Sequence, residues 1–365
     1  MEDQLLFSPY QLKDITLANR MVMAPMTRSR SDNDEKIATE LTAKYYEQRA
    51  SAGLIITEGT FVSPQGIGYI NVPSIYTPQQ VEGWKKVTQA VHEKGGKIFA
   101  QIWHVGAISH PNLLNGQLPV APSAVNPNTQ AYTESGFEDT VTPKAMTIEE
   151  IKQTVQDFKK AAQNALEAGF DGIELHAANG YLFHQFFSKT TNLRTDEYGG
   201  SIENRARFLF EVLEALKEVI SYRRVGIRLN PTLHGILGAT MDEESIPTFE
   251  YIVNKLNDYD LAYLHLTESF TPIDDLPFAI KNVAKHFRPL YNGTLIINKS
   301  FDKEKAIKVL EAGDADLVAF GVPFIANPDL VERYKLNAPL NEADSTTFYT
   351  AGEKGYTDYP TLSEL

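Results

Sequence analysis

Residues 176–187 read His-Ala-Ala-Asn-Gly-Tyr-Leu-Phe-His-Gln-Phe-Phe and combine side chains that could act together on one substrate. They continue the apolar run that begins at Gly172, so we expect them at the carboxyl end of a buried strand. His176 and Asn179 are hydrogen-bond donors that could hold an anionic oxygen, and the phenol of Tyr181 could deliver a proton beside it. From spacing alone, a polar pair satisfied within a turn and a packed tyrosine remain the alternative.

The segments around this cluster predict a barrel. Eight short apolar runs, most of them rich in Val, Ile and Leu, alternate with longer amphipathic segments, as expected for strands buried on both faces. The runs lie at residues 21–26, 54–58, 97–103, 172–176, 225–229, 262–266, 294–297 and 317–320. Eight repeats without a linker predict the α/β class, with a single (β/α)8 TIM barrel over residues 1–365. An open doubly wound sheet is the alternative, although no G-x-G-x-x-G loop follows the first run.

Helix-capping residues and two irregular stretches refine this layout. Thr147 and Ser201 each precede a helical pattern that they could cap. Residues 1–20 precede the first strand, and we predict that they form a hairpin covering the barrel floor. Residues 105–146 are rich in Pro, Asn and Ser and follow the third strand. We predict that this insertion is a lid at the catalytic face, the alternative being a disordered loop.

Composition narrows the class of function. The net charge of −13 argues against a nucleic-acid partner, since surfaces that bind phosphates are normally basic. The absence of cysteine excludes disulfides, iron–sulfur clusters and cysteine nucleophiles. No metal-ligand spacing is present, and no apolar run approaches the ~20 residues of a membrane span. The sequence therefore predicts a cytoplasmic protein without a metal, whose chemistry comes from a cofactor or from the donors at the strand ends.

An ordered set of motifs covering nearly the whole chain resembles the Old Yellow Enzyme family. The motifs are Met-Ala-Pro-Met-Thr-Arg at 23–28, Ile-Thr-Glu-Gly at 56–59, Gln-Ile-Trp-His-Val-Gly at 101–106, the cluster at 176–186, Arg-Thr-Asp-Glu-Tyr-Gly-Gly-Ser-Ile-Glu-Asn-Arg at 194–205, Phe-Ile-Ala-Asn-Pro-Asp-Leu at 324–330 and Gly-Tyr-Thr-Asp-Tyr-Pro at 355–360. One motif alone would be suggestive, whereas the ordered set is specific.

The resemblance implies an FMN-dependent ene-reductase, similar to an NADPH dehydrogenase, that uses NADPH or NADH to reduce activated alkenes by ping-pong hydride transfer through FMN N5. α,β-Unsaturated carbonyls are the implied substrates, with nitro compounds as a further class. The implied cofactor-binding residues are Pro25, Met26, Thr27, Gly59, Gln101, Arg228, Asn298, Lys299, Gly321 and Val322. His176 and Asn179 would hold the substrate carbonyl, and Tyr181 would supply the proton. The implied pocket-lining residues are Trp103, Tyr69 and Tyr356.

Within this set the residue types suggest individual roles. Gln101 could pair with the pyrimidine edge of the flavin, and Arg228 could place a cation near N1 and O2. Gly59 would allow a close approach of the backbone. Without the resemblance, Arg228 could equally be a structural ion-pair residue and Trp103 a core residue.

The phosphate end departs from the family. Members generally carry arginine after the glycine that follows strand eight, whereas this chain has Val322 there. We expect Lys299, from the neighbouring strand, to supply the missing charge, the alternative being that backbone N–H groups suffice and Lys299 points to solvent. Ala107 also stands where the family often has arginine, and nothing in the sequence explains its effect.

Two other functions stay open at this point. One is a flavin-free barrel lyase or isomerase that uses His176 and Tyr181 as acid and base. The other is a flavin-binding carrier with weak activity. The expected partner in the leading hypothesis is a small activated alkene, with no nucleic acid and no membrane, and the chain would act as a monomer or homodimer.

Overall fold

The computed structural model describes residues 5–364, and its central sheet is a closed barrel of eight parallel strands. In chain order the strands are β1 (Met21–Met23), β2 (Leu54–Ile56), β3 (Ile98–Trp103), β4 (Gly172–His176), β5 (Val225–Leu229), β6 (Tyr263–Thr267), β7 (Leu295–Asn298) and β8 (Leu317–Phe320). Consecutive strands pair in parallel and β8 pairs with β1, which closes the sheet. The predicted (β/α)8 barrel is therefore confirmed.

Helices surround the barrel and bury one face against it. Their bounds are α1 Glu40–Glu47, α2 Pro78–Glu93, α3 Ile148–Glu167, α4 Leu182–Phe187, α5 Ile202–Leu216, α6 Ser245–Leu256, α7 Val283–Phe287, α8 Lys303–Glu311, α9 Val322–Ala326 and α10 Leu330–Leu336. In α3, for example, Ile151, Val155 and Phe158 are buried at helical spacing. Within residues 5–364, no helix has the length and apolar character that a membrane crossing requires.

The predicted helix starts at Thr147 and Ser201 are confirmed by their capping bonds. The Thr147 hydroxyl accepts from the backbone N–H of Glu150 at 3.2 Å, and the Glu150 carboxylate accepts from the backbone N–H of Thr147 at 2.8 Å. At α5 the Ser201 hydroxyl accepts from the Asn204 N–H at 3.3 Å. These bonds satisfy N–H groups that have no partner inside the helix, so they fix where each helix begins.

An antiparallel hairpin, Tyr10–Leu12 with Ile15–Leu17, precedes the barrel and plugs its amino-terminal end. Leu12, Ile15 and Leu17 belong to one buried cluster with residues from the barrel interior. The inward-facing members of this cluster include Val22, Leu54, Ile56, Phe99, Ile296 and Leu317. The predicted hairpin is thus present, and residues 1–4 of the predicted stretch lie outside the described residues.

The insertion at residues 105–146 is folded. Gln130–Thr133 pairs antiparallel with Gly136–Asp139, and Val120–Ala121 pairs in parallel with Lys144–Ala145. A backbone bond of 3.3 Å, from the Ile70 N–H to the Tyr132 carbonyl, ties the first of these pairs to the segment after β2. The insertion is therefore ordered rather than a disordered loop, while its action as a lid stays a prediction.

Three buried arginines hold the end of the chain against the barrel. Arg28, Arg30 and Arg49 donate to backbone carbonyls of the C-terminal segment, residues 347–356, at 2.6–3.4 Å. Burial lowers the pKa values of Arg30 and Arg49 to about 10, so both guanidinium groups remain charged at neutral pH. Each planar guanidinium offers several donors in fixed directions, and this suits a segment of irregular backbone with many free carbonyls.

Candidate active site

Polar side chains from neighbouring strands meet at the carboxyl end of the barrel. His176 ends β4 and lies opposite Arg228 of β5 in the strand register. Asn298 ends β7 and lies opposite Thr267 of β6. Because parallel strands present their carboxyl ends at one mouth, these side chains form one layer, as the sequence predicted.

Trp103 lies at the centre of an aromatic cluster at the same end of the barrel. Its ring stacks on Tyr69 and His176, with centroids 5.8 Å and 5.5 Å apart and planes within 10°. The Phe61 ring also stacks on Trp103, with centroids 5.2 Å apart. The Tyr181 ring contacts the indole edge-on, with centroids 4.8 Å apart. The indole therefore contacts three of the predicted site residues at once and sets the planes of their rings.

Tyr181 and Tyr69 form a pair of phenols. Their hydroxyl oxygens lie 3.0 Å apart, which is hydrogen-bond distance. Burial raises the pKa of Tyr69 to about 12 and holds that of Tyr181 well above its usual 10. Both phenols are therefore protonated at neutral pH, so Tyr181 carries a proton that it can donate.

His176 and Asn179 are presented as donors. Burial, followed by the charge of Arg228, lowers the pKa of His176 well below 6.5, so its imidazole is neutral. Asn179 takes the left-handed conformation, with φ of 58°, which asparagine tolerates better than most residues. Asn230 donates to the Asn179 side-chain oxygen at 3.0 Å, and this leaves the Asn179 N–H groups available to a ligand.

Gln101 and Arg228 are held by neighbouring side chains. Gln101 donates to Glu174 at 2.7 Å, and Arg228 donates to the Asn298 side-chain oxygen at 3.1 Å. The Asn298 amide in turn donates to the Ala319 carbonyl at 2.8 Å. The Asn298 side chain thus orients Arg228, and its predicted contact with the cofactor stays a prediction.

Above these residues lies a cavity of about 690 Å³. Its walls come from the segment after β1, the segment after β2, the insertion and the end of the chain. The lining residues are Thr27, Ser29, Tyr69, Ile70, Asn71, Tyr132, Phe137, Tyr181, Thr346, Tyr349, Thr350 and Ala351. Tyr69, predicted to line the pocket, and Tyr181, predicted as the proton donor, are therefore on its wall, together with insertion and C-terminal residues that the sequence did not indicate. His176 and Asn179 are not among the lining residues, although the His176 ring lies 5.0 Å from that of Tyr181.

The prediction that Tyr356 lines this pocket is wrong. Tyr356 is fully buried and stacks on Tyr45, with ring centroids 4.1 Å apart. Arg28 and Arg30 lie over its ring, so it packs among the buried arginines. Tyr349, on the same segment, occupies the pocket wall instead.

Trp103 also differs from its predicted place. It is only 2% exposed and lies behind the wall formed by Tyr69 and Tyr181, so it supports the pocket rather than lining it. Gly59 explains part of this arrangement, because a Cβ there would lie 2.6 Å from the Trp103 ring. The glycine is thus required by the indole, whatever else approaches its backbone.

The remaining predicted cofactor residues surround the mouth. Pro25, Met26 and Thr27 follow β1 and are half-buried. Lys299 is half-buried, has a φ of 97°, and places its Nζ 4.8 Å above the Phe270 ring. Lys299 therefore does not simply extend into solvent.

Gly321 and Val322 complete this set at the end of β8. Gly321 precedes α9, and a Cβ there would meet only the Met26 side chain, at 3.4 Å. Val322 is 51% exposed, so the position where the family generally has arginine presents an apolar side chain to solvent. Cofactor contact by these residues stays a prediction.

Comparison with known proteins decides the family. A family model described as the NADH:flavin oxidoreductase / NADH oxidase family matches residues 5–341. The chain belongs to this family. 12-Oxophytodienoate reductase 1 of Oryza sativa subsp. japonica is 42% identical, with 99% of this chain and 94% of that protein covered. A probable flavin mononucleotide-dependent alkene reductase of Leishmania infantum is 44% identical, with 94% of each covered.

Solved structures of this flavin oxidoreductase family share the fold. Morphinone reductase superposes with a TM-score of 0.92 at 46% identity, covering 98% of this chain and 96% of that one. An old yellow enzyme homologue of Zymomonas mobilis gives 0.92 at 40% identity, covering 98% and 99%. The resemblance to the Old Yellow Enzyme family is thereby confirmed, and the protein is an oxidoreductase of the FMN-dependent class.

The buried groups of the barrel suit the flavin of this family. Arg228 is 5% exposed, and its Nε has no hydrogen-bond partner among the described residues. A buried guanidinium with a free donor matches the oxygen-rich pyrimidine edge of FMN, where negative charge develops on reduction. No group of three or more His, Asp or Glu that could hold a metal ion occurs within residues 5–364.

Buried histidines make the folded state sensitive to acid. Burial lowers the pKa of His104 to about 3 and that of His184 to about 4, and it also lowers those of His176 and His265. In the unfolded chain these histidines take up protons near pH 6.5, whereas in the folded chain they stay neutral at that pH. Stability is therefore complete above that pH and is lost as the pH falls through it.

We expect the free energy of unfolding of the apoprotein to fall as the pH drops from 7 to 5, with a slope that approaches about 1.4 kcal/mol per pH unit toward pH 5 for each histidine that stays neutral. The variant His184→Gln should reduce the slope of the unfolding free energy against pH by the contribution of about one histidine. Urea denaturation at several pH values across this range measures the slope. Phe249→Leu alters the ring that packs on His184 at 5.7 Å, and it should lower stability without changing the slope. An unchanged slope in His184→Gln would contradict this account.

Proposed function

We propose that this protein is an FMN-dependent ene-reductase that takes hydride from NADPH or NADH and reduces the activated C=C bond of a small molecule. The observation that carries the proposal is a protonated tyrosine, Tyr181, on the wall of the large cavity, with its ring 5.0 Å from that of the neutral His176. Arg228, a buried arginine with a free donor, lies opposite His176 in the strand register, and the Asn179 amide comes three residues after His176. The family assignment supplies the flavin.

Gln101 and Arg228 would hold the pyrimidine edge of the FMN ring, and residues 25–27 would contact its O4/N5 edge. When bound, FMN supplies hydride transfer between the nicotinamide and the alkene. Arg228 would stabilise the negative charge of the reduced ring, because a cation buried in the barrel is weakly screened. Thr27 borders the large cavity, so it lies where cofactor and substrate would meet.

His176 and Asn179 would bind the substrate carbonyl. Negative charge grows on that oxygen as hydride reaches the β-carbon, so donors aimed there stabilise the transition state more than the ground state. A neutral imidazole suits this role, since it donates a hydrogen bond without giving up its proton. The stacking of His176 on Trp103 keeps the ring in one plane, which reduces reorganisation during the reaction.

Tyr181 would protonate the α-carbon. Its phenol lies on the cavity wall, and its hydroxyl contacts that of Tyr69. Tyr69 can return a proton along this bond after Tyr181 has given one up, and burial keeps both groups protonated beforehand.

The cavity wall favours uncharged and bulky alkenes. No charged side chain occurs among its lining residues, and aromatic rings contribute from several segments, including Tyr132, Phe137 and Tyr349. Nitro compounds remain a further proposed class. The choice between NADH and NADPH, the monomeric or homodimeric state and the cytoplasmic location stay predictions.

Purified protein tests the proposal directly. We expect it to carry FMN, to bleach on anaerobic addition of NADPH or NADH, and to regain its flavin absorbance with 2-cyclohexenone. A colourless protein that binds no added FMN would favour the flavin-free lyase or isomerase. A flavoprotein that is not bleached by either nucleotide would favour the carrier.

Replacing Tyr181 with phenylalanine separates the two half-reactions. Tyr181→Phe removes the donated proton and keeps the ring that packs on Trp103. We expect alkene reduction to slow by on the order of 100-fold, while flavin reduction by the nucleotide stays near the wild-type rate. Stopped-flow absorbance measures each step, and an equal loss in both would show that Tyr181 is not the acid.

Lys299 is the proposed substitute for the absent phosphate-binding arginine. Lys299→Gly removes the charge and accommodates the positive φ at this position, so backbone strain does not confuse the result. We expect FMN to dissociate about tenfold more readily, as for loss of one charge-assisted bond. Lys303→Ala is the control, since that lysine donates to the Tyr334 carbonyl at 2.6 Å. Equal FMN affinity in wild type and Lys299→Gly would exclude the role.

A further inference from the structure

Glu174 is a fully buried carboxylate inside the barrel, level in the strand register with Gln101 of the proposed cofactor site. It lies on β4, two residues before His176, and its register partners are Gln101 on β3 and Gly226 on β5. Its two oxygens have different partners. One accepts from the Gln101 side-chain amide at 2.7 Å, and the other accepts from His265 Nδ1 at 2.9 Å.

These bonds dictate how the Gln101 amide is oriented. An ionised carboxylate can only accept hydrogen bonds, so the Gln101 nitrogen must face Glu174. The Gln101 carbonyl oxygen is thereby turned away, and it has no hydrogen-bond donor among residues 5–364. An acceptor in this position is what the N3–H group of a flavin ring requires.

His265 supports the same arrangement from β6. Burial lowers its pKa, so the ring is neutral, and the proton on Nδ1 is the one donated to Glu174. Its Nε2 is buried and has no partner within the described part of the chain. A neutral ring leaves the negative charge of Glu174 uncompensated by His265.

The compensating cation is Arg228. Burial lowers the pKa of Arg228, and the negative charge of Glu174 opposes that shift. Within residues 5–364 no carboxylate forms a hydrogen bond or ion pair with Arg228, whose side-chain bond goes to the neutral amide of Asn298. Glu174 is the carboxylate whose charge acts on Arg228 through space. Glu174 therefore offsets part of the positive charge that Arg228 presents to the cofactor site.

We propose that Glu174 is a positioning residue that orients Gln101 toward the flavin and, by offsetting Arg228, lowers the reduction potential of the bound FMN. The inference rests on the proposed function, since it needs FMN in this site. A lower potential makes the reduced flavin a better hydride donor to the alkene. It also makes reduction of the flavin by the nicotinamide less favourable.

The test is the potential of FMN bound to Glu174→Gln, measured by anaerobic titration with a reference dye. Glutamine keeps the size of the side chain and removes its charge. We expect the equilibrium between oxidised and reduced flavin to shift on the order of tenfold toward the reduced form. For a two-electron couple this is a rise of about 30 mV.

The variant Glu174→Asp separates the effect of the negative charge from the effect of the two side-chain hydrogen bonds. Aspartate keeps the charge, but its shorter side chain cannot span both Gln101 and His265. We expect its potential to stay close to that of wild type and its FMN dissociation constant to rise about tenfold. Glu268→Gln is the matched control, because Glu268 accepts from the backbone of Val283 and Ala284 at the start of α7 and makes no side-chain bond to Gln101 or Arg228.

The outcomes distinguish this inference from the proposed function. A wild-type protein that binds no FMN overturns both. A wild-type ene-reductase whose Glu174→Gln variant keeps the wild-type potential, or shifts no further than Glu268→Gln, overturns the inference alone. If Glu174→Gln does not fold, Glu174→Asp decides, since wild-type FMN affinity or a shifted potential in that variant contradicts the assigned roles.

Discussion

The stacking of Trp103 against its neighbours is the contact on which the site depends. The Tyr69 and His176 rings stack on the Trp103 indole, and the Tyr181 ring packs against it edge-on. The orientation of the indole therefore sets the orientations of three side chains from different parts of the chain. Gly59 permits this by leaving room for the ring. Aromatic pairs add only about 0.5–1.5 kcal/mol each beyond their burial, but together they leave these side chains few alternative rotamers.

The barrel could be predicted because its strands are buried on both faces and so appear as nearly continuous apolar runs. All eight runs became strands, and the cluster from His176 to Tyr181 lies where strand ends converge. The hairpin before β1 was also predictable, since its apolar residues have no other surface to cover. These successes concern local patterns of hydrophobicity, which a single sequence records directly.

What the sequence could not supply is the direction of side chains on irregular backbone. Tyr349 and Tyr356 lie on one segment, yet only the first borders the cavity, because the second is drawn between buried arginines. Glu174 was missed for another reason. It sits in the middle of an apolar run, and only the strand register shows that it meets Gln101 across β3 and β4.

The arginine-held C-terminal segment closes the cavity with residues that are far along the chain from the predicted catalytic residues at 176–181. Thr346, Tyr349, Thr350 and Ala351 form one wall, while Arg28, Arg30 and Arg49, which anchor that wall, all lie between β1 and β2. During synthesis the barrel strands leave the ribosome before this wall exists. The cavity can consequently close only after nearly the whole chain has been made, and in a chain stalled after β8 the wall formed by residues 346–351 would be missing.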